Sequence, residues 1–151
     1  MDEPVTKEDL LNQVANGFWE TFPPYWNMVR AHIRQVAADN FGITVEQFHI
    51  LRQIRRGIHS GSELAAEKRI SRAAISKAVD TLVNQNLVSR QENPQDRRFT
   101  RLELTAEGAT LLAVIFDETR SWMKRNLDYL SETELESIIR AMAALKKTFP
   151  E

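Results

Sequence analysis

Ser71-Arg72-Ala73-Ala74-Ile75-Ser76-Lys77, followed further along by Asp96-Arg97-Arg98, are the stretches on which the fold turns. The first sets small hydroxyls and cations at the start of a helix. The other side of that helix is apolar at helical spacing, through Ile75, Ala78, Val79 and Leu82. The second is a charged turn between two short alternating runs, Leu87–Gln91 and Phe99–Leu104, with the turn formers Asn93-Pro94-Gln95-Asp96 between them. A polar helix face of this size suits the major groove of a duplex, and a basic hairpin suits the minor groove.

Outward from these stretches, helix starts are written clearly. Thr6, flanked by Val5 and Leu10, reads as an N-cap with an apolar staple, and Thr44 with Gln47, Ser60 with Glu63, and Ser131 with Glu134 read as capping boxes. Ser71 reads as a cap stapled by Ile70 and Ile75, and Thr105 caps a long helix. Each cap satisfies amides that would otherwise be unpaired and contributes about 0.5–2 kcal/mol. Pro23-Pro24 is expected to break or kink the first helix, since proline lacks an amide and crowds the preceding turn. The predicted order is four helices, a hairpin, a long helix and a last helix. That is a mainly α chain with a small β-hairpin wing: a winged helix-turn-helix over 44–104, flanked by long helical regions over 1–43 and 105–151. The flanking helices are apolar along one face, more surface than a small winged domain can cover. They are expected to be dimerisation helices that bury it against each other and against a second copy.

Composition sets the outer bounds. The chain has 151 residues, 27% charged and 42% hydrophobic, and no cysteine. Disulfides, thiol redox sensing and Cys-ligated zinc are thereby excluded. No apolar run approaches the length of a membrane span, and the opening MDEPVTKEDL is acidic where a signal peptide is basic, so no membrane role and a cytoplasmic location are expected. The net charge of −1 conceals an uneven distribution: Arg52 to Arg101 holds 11 Lys/Arg against 5 Asp/Glu. The segment carrying the candidate motif is electropositive, and local field is what draws phosphate.

On the exposed face of the fourth helix, Ser71, Arg72, Ala73, Ser76 and Lys77 are the expected DNA contacts. Ser and Arg suit base edges and phosphates, and Ala73 allows close approach or contact with a thymine methyl. Asp80 shares that face. In the hairpin, Arg97 and Arg98 join them, because an arginine at the tip can enter the negative potential of a narrow minor groove. Asp96 can hold such a guanidinium in a fixed pose.

The stretch ISRAAISKAVDTLVNQNLVSRQENPQDRRFTRLELTAEG (Ile70–Gly108) resembles the MarR family of winged-helix regulators. The family's wing signature is matched by Asp96, Arg98, Leu104, Thr105 and Gly108, and its third-helix pattern by Ser62-Glu63-Leu64-Ala65. The resemblance implies a homodimer formed by the terminal helices, reading a pseudopalindromic double-stranded DNA operator with two fourth helices and two wings. Arg98 would be the minor-groove arginine and Asp96 its orienting partner. The chain departs from the pattern in Pro23-Pro24 with their aromatic neighbours, and in the loose Gly57–Gly61 entry to the third helix.

The resemblance further implies release from DNA by a small aromatic effector bound between the dimerisation helices and the winged domain. Trp19, Phe22, Tyr25, Trp26, His32, Phe48 and His49 supply aromatic walls and hydrogen-bonding groups in or near those helices, and Trp19, Tyr25, Trp26 and His32 are the ligand candidates. Trp26 and His32 lie six apart and do not share a helix face. Competing classes are weaker. No nucleophile and base, phosphate-cradling loop or metal spacing is present, so no catalytic residue, metal ligand or cofactor is expected. A metal-responsive regulator would need Glu20, His32 and His49 to converge. A winged-helix protein-interaction module has little use for Arg72, Lys77, Arg97 and Arg98 together. Repression by occupancy is the expected mode.

Overall fold

A computed structural model describes residues 5–92 and 100–148. The elements, in chain order, are α1 (Lys7–Phe41), α2 (Val45–Arg55), α3 (Gly61–Lys68), α4 (Arg72–Asn84), β1 (Val88–Glu92), β2 (Thr100–Leu104), α5 (Ala106–Leu127) and α6 (Glu132–Thr148). The expected mainly helical, winged architecture is the one observed. Two compact units divide the chain, Met1–Phe116 and Asp117–Glu151. No described helix is long and apolar enough to cross a membrane.

Capping accounts for the helix starts. Thr6, Thr44 and Ser60 each accept from the amide three residues on, and Asp9, Gln47 and Glu63 return the bond to the cap's own amide. Ser131 and Glu134 do the same at α6. The exposed carboxylates of Asp9, Glu63 and Glu134 are held below their ordinary values chiefly by the hydrogen bonds from these hydroxyls. Thr6 therefore belongs to a full capping box with Asp9, beyond the staple read from Val5 and Leu10.

The core of the first unit gathers the inward faces of its helices. Val29, Ile33, Val36 and Ala37 of α1 are buried, with Phe48, Leu51 and Ile54 of α2, Leu64 of α3, and Ile75, Val79 and Leu82 of α4. Leu87, Val88 and Leu102 of the hairpin and Leu112 and Ile115 of α5 belong to the same core. Each of the larger side chains among them contributes about 1.5–3 kcal/mol relative to exposure.

Two local expectations are corrected. Pro23 and Pro24 lie inside one continuous helix and do not break it. The ring's fixed φ is compatible with helix, and the carbonyls of Trp19 and Glu20, which lose their amide donors, sit on exposed residues open to solvent. Ile70 is not tucked inward as a staple: it is 45% exposed. Its amide closes the end of α3 on the Ala65 carbonyl, 3.2 Å. The start of α3 lies beside Ile75, where a Cβ at Gly61 would meet the Ile75 Cγ2 at 3.8 Å in ordinary contact.

Candidate nucleic-acid interface

The helix-turn-helix is built by α3, a tight turn and α4. Arg69 adopts the left-handed conformation, φ 51° and ψ 40°, which reverses the chain between the helices. That conformation is favourable for glycine and costs other residues about 1–2 kcal/mol. Ser71 then caps α4, its Oγ accepting from the Ala74 amide at 3.2 Å. The first turn of α4 contains no acidic residue. Arg72 stands at its first position, against the helix dipole, an arrangement that an arriving phosphate relieves. Ser71, Arg72, Ala73, Ser76 and Lys77 are all exposed, while Ile75, Val79 and Leu82 hold the opposite side of the helix in the core.

Asp80 would leave a repelling carboxylate at the end of this basic face. The structure gives it a partner that local sequence did not suggest: Arg90 of β1 donates from Nη2 to Asp80 Oδ1 at 2.6 Å. The pair neutralises that carboxylate and ties the recognition helix to the wing.

The hairpin pairs antiparallel from Val88↔Leu104 to Glu92↔Thr100. Its base is locked to α5 by a small set of bonds. Thr105 Oγ1 donates to the Asn86 carbonyl at 2.7 Å, the Thr105 amide to the Leu87 carbonyl at 3.2 Å, and the Gly108 amide to Thr105 Oγ1 at 3.0 Å. Asn86 takes φ 56°, a conformation asparagine tolerates better than most residues. On the other edge, the loop before α3 adds to β2. The Leu102 amide donates to the His59 carbonyl at 2.7 Å, and His59 Nδ1 donates to the Leu102 carbonyl at 2.9 Å. The second bond requires the proton on Nδ1. His59 Nε2 then faces Arg101 Nη2 at 3.4 Å as an acceptor, while Glu103 holds the same guanidinium through Nε at 3.0 Å. Arg101 is thus a prepositioned cation on the wing that the sequence reading missed. A basic residue two positions from a carboxylate on a strand was the available signal. Asp96, Arg97 and Arg98 lie outside the described residues.

The proposed ligand residues are spread along α1 with differing exposure. Trp19 is 81% exposed, Trp26 46% exposed, and Tyr25 and His32 are half-buried. An open recess of about 410 Å³ lies among Phe41, Leu87, Thr110 and Leu111, and another of about 500 Å³ lies beside Arg30 and Glu46. Neither is lined by those four residues. Phe48 is a core side chain, its ring 5.7 Å from that of Phe116, over which Arg55 sits at 4.5 Å. Among the described residues no three His, Asp or Glu side chains are placed to hold a metal ion, so Glu20, His32 and His49 do not converge.

Comparison with known proteins agrees with this geometry. A model of the MarR family matches residues 41–98. Transcriptional regulator AdcR of Streptococcus pyogenes is 31% identical over 99 residues, 64% of this chain and 67% of AdcR. The chain belongs to the MarR family. The Bacillus subtilis HTH-type transcriptional repressor MdtR is 30% identical over 95 residues, 62% of this chain and 61% of MdtR. The chain therefore spans about three-fifths of that relative's length. The transcriptional regulator Tm0710 of Thermotoga maritima superposes with a TM-score of 0.76 at 22% identity, covering 88% of this chain and 94% of its own. Wild-type MarR of E. coli in its apo form superposes at 0.67 and 21% identity, covering 99% and 100%. These likenesses establish the fold. The relatives named here are transcriptional regulators, not enzymes.

Proposed function

We propose that this chain is a dimeric, sequence-specific DNA-binding regulator that represses transcription by occupying a pseudopalindromic operator. The observation that carries the reading is the exposed face of α4. Arg72, Ala73, Ser76 and Lys77 surround a helix start free of acidic residues, and the carboxylate on that face is neutralised by Arg90. Residues 44–104 form the reading module, with Ser71, Arg72, Ala73, Ser76 and Lys77 in the major groove. Arg98, oriented by Asp96 and accompanied by Arg97, enters the minor groove.

Residues 1–43 and 105–151 supply the dimer interface. The apolar stripe that is buried over Val29, Ile33 and Val36 continues toward the N-terminus of α1 through Leu11, Phe22 and Trp26, which are exposed. A second copy covering that stripe turns a cost into burial worth about 25 cal/mol per Å². Trp19, Tyr25, Trp26 and His32 lie along the same stretch of helix, and a small aromatic effector releasing the operator binds there once two copies have enclosed it. The repressor role follows MdtR, which carries that description in its name.

The test is a gel-shift titration with DNA from immediately upstream of the gene, at two salt concentrations and with random DNA as competitor. Competitor-resistant binding that weakens steeply with salt is expected. Arg98→Ala and Arg72→Ala should each reduce affinity about tenfold or more. Binding no tighter than to random DNA, or an Arg98→Ala protein of undiminished affinity, refutes the corresponding assignment.

A further inference from the structure

The turn between α3 and α4 carries two side chains that the fold does not use. Among the described residues, Arg69 and Asn86 are the non-glycine positions with positive φ. Asparagine tolerates that region, whereas an arginine there is strained. Main-chain groups close the turn: the Arg69 amide donates to the Ala66 carbonyl and the Ile70 amide to the Ala65 carbonyl, each at 3.2 Å. Glycine would close it at less cost. Neither side chain is drawn into the core. Arg69 is exposed, and Ile70 is an apolar group left largely at the surface beside Ser71. Strain retained against an easy remedy points to function.

No described carboxylate pairs with the Arg69 guanidinium. Glu67, two positions before it, accepts from Gln53 of α2 at 3.1 Å. The surroundings on the α3 side are cationic. Lys68 is half-buried and held below its ordinary value by burial, with Arg30 and Arg52 adding to the effect and Glu46 and Glu67 opposing it. His49 is lowered in the same way, by burial first and then by Lys68, Arg30 and Arg52. On the other side of Arg69 come Ser71, Arg72 and a first turn of α4 without an acidic residue. A strained, uncompensated cation in a positive field is unfavourable in the free protein, and a phosphate arriving at the turn relieves it.

We propose that Arg69 and Ile70 grip the sugar–phosphate backbone beside the bases read by α4: the guanidinium holds a phosphate, and the Ile70 side chain packs on the adjoining deoxyribose. The proposal rests on the assignment of α4 as the reading helix. The turn runs directly into the start of α4, so a helix entering the major groove by its first turn brings positions 69 and 70 to the groove's edge, where the phosphates lie. A guanidinium presents paired donors to phosphate oxygens, and an aliphatic side chain gains by covering apolar sugar surface. Such contacts carry no base information; they fix the register of the helix and strengthen binding on every sequence.

The experiment is a salt series of fluorescence-anisotropy titrations of the full-length protein and its variants, with a duplex from upstream of the gene and with a random duplex. Arg69→Gly should weaken binding to both duplexes about tenfold. It should also reduce the slope of log affinity against log salt by about one for each copy engaged. Its melting temperature should rise by about 2–4 °C, so that weaker binding is not a folding defect. Arg69→Lys, which keeps the charge, should restore most of the slope. Ile70→Ala should weaken binding about threefold at an unchanged slope, since it removes apolar contact and no charge. Parental affinity and slope for Arg69→Gly overturn the proposal, as does a loss confined to the upstream duplex, which would make Arg69 a base reader. An Arg69→Lys protein with the slope of Arg69→Gly overturns the phosphate contact, and parental affinity for Ile70→Ala overturns the sugar contact. If the upstream duplex is bound no tighter than the random one, the sequence-specific reading fails, and the Arg69 result on the random duplex still decides this proposal.

Discussion

Replacing Gly108 by alanine should destabilise the protein strongly, although alanine is the better helix former. A Cβ at this position would overlap the carbonyl oxygen of Leu87 and come within 3.0 Å of its carbon and 3.3 Å of its Cα. All three are backbone atoms beside a buried side chain, so no rotamer change relieves the clash. The first turn of α5 must lift away, stretching the bonds from Thr105 to Asn86 and Leu87, now 2.7 and 3.2 Å. Overpacking of this kind costs about 1–3 kcal/mol, and the two weakened hydrogen bonds add about 0.5–1.5 kcal/mol each. The intrinsic gain of alanine over glycine in a helix returns about 1 kcal/mol. The net loss is about 1–5 kcal/mol, which for a chain of this size lowers the melting temperature by about 2–20 °C. Gly17 provides the control: it is helical and a Cβ there meets nothing within 4 Å. Gly17→Ala should therefore stabilise the protein by about 0.5–1 kcal/mol. Circular-dichroism melts and urea titrations of the two variants decide the matter. A Gly108→Ala protein as stable as the parent refutes the argument that this glycine exists for close approach.

Three further outcomes follow from single residues. Arg69→Gly relieves the left-handed strain and should raise stability by about 1 kcal/mol in a urea titration, while removal of a cation from the helix-turn-helix lowers DNA affinity; loss of both, or of neither, contradicts the assignment. His49 has a folded-state value below 6.5, so the unfolded chain binds the proton more tightly, and stability present above pH 6.5 is lost as the pH falls. His49→Gln should accordingly narrow the difference in urea midpoint between pH 7 and pH 5, and an unchanged difference rules His49 out as its source. The Asp80–Arg90 pair is exposed, so Asp80→Ala should change stability by no more than about 1 kcal/mol. DNA discrimination should fall further than stability, and a double-mutant cycle with Arg90→Ala that shows no coupling in DNA binding would refute the link between helix and wing.

Local chemistry was legible because its partners are close in sequence. Thr44 and Gln47, Ser60 and Glu63, and Ser131 and Glu134 find each other three residues apart, a distance a nascent helix turn sets without help from the rest of the chain. The same holds for the exposed face of α4, since the residues opposite it are apolar at helical spacing and only one side can be buried. Ile70 shows the limit of that logic. It satisfied the staple pattern, but the partner of Ile75 is α3, and the pattern contains no information about which neighbour arrives first.

The sequence by itself determined the helices, their caps, the wing strands and the family, because periodicity, i to i+3 hydrogen bonds and the Thr105…Gly108 signature act within a few residues. Tertiary structure alone decided that α1 continues through Pro23-Pro24, that Arg90 reaches Asp80, and that His59 meets Leu102 across 43 positions. It also brought Arg30, His49, Arg52 and Lys68 together from three helices. Such contacts depend on how packed elements cross. Chain neighbours do not encode that crossing, because it is the burial of Val29, Phe48, Leu64 and Ile75 in one core that fixes it.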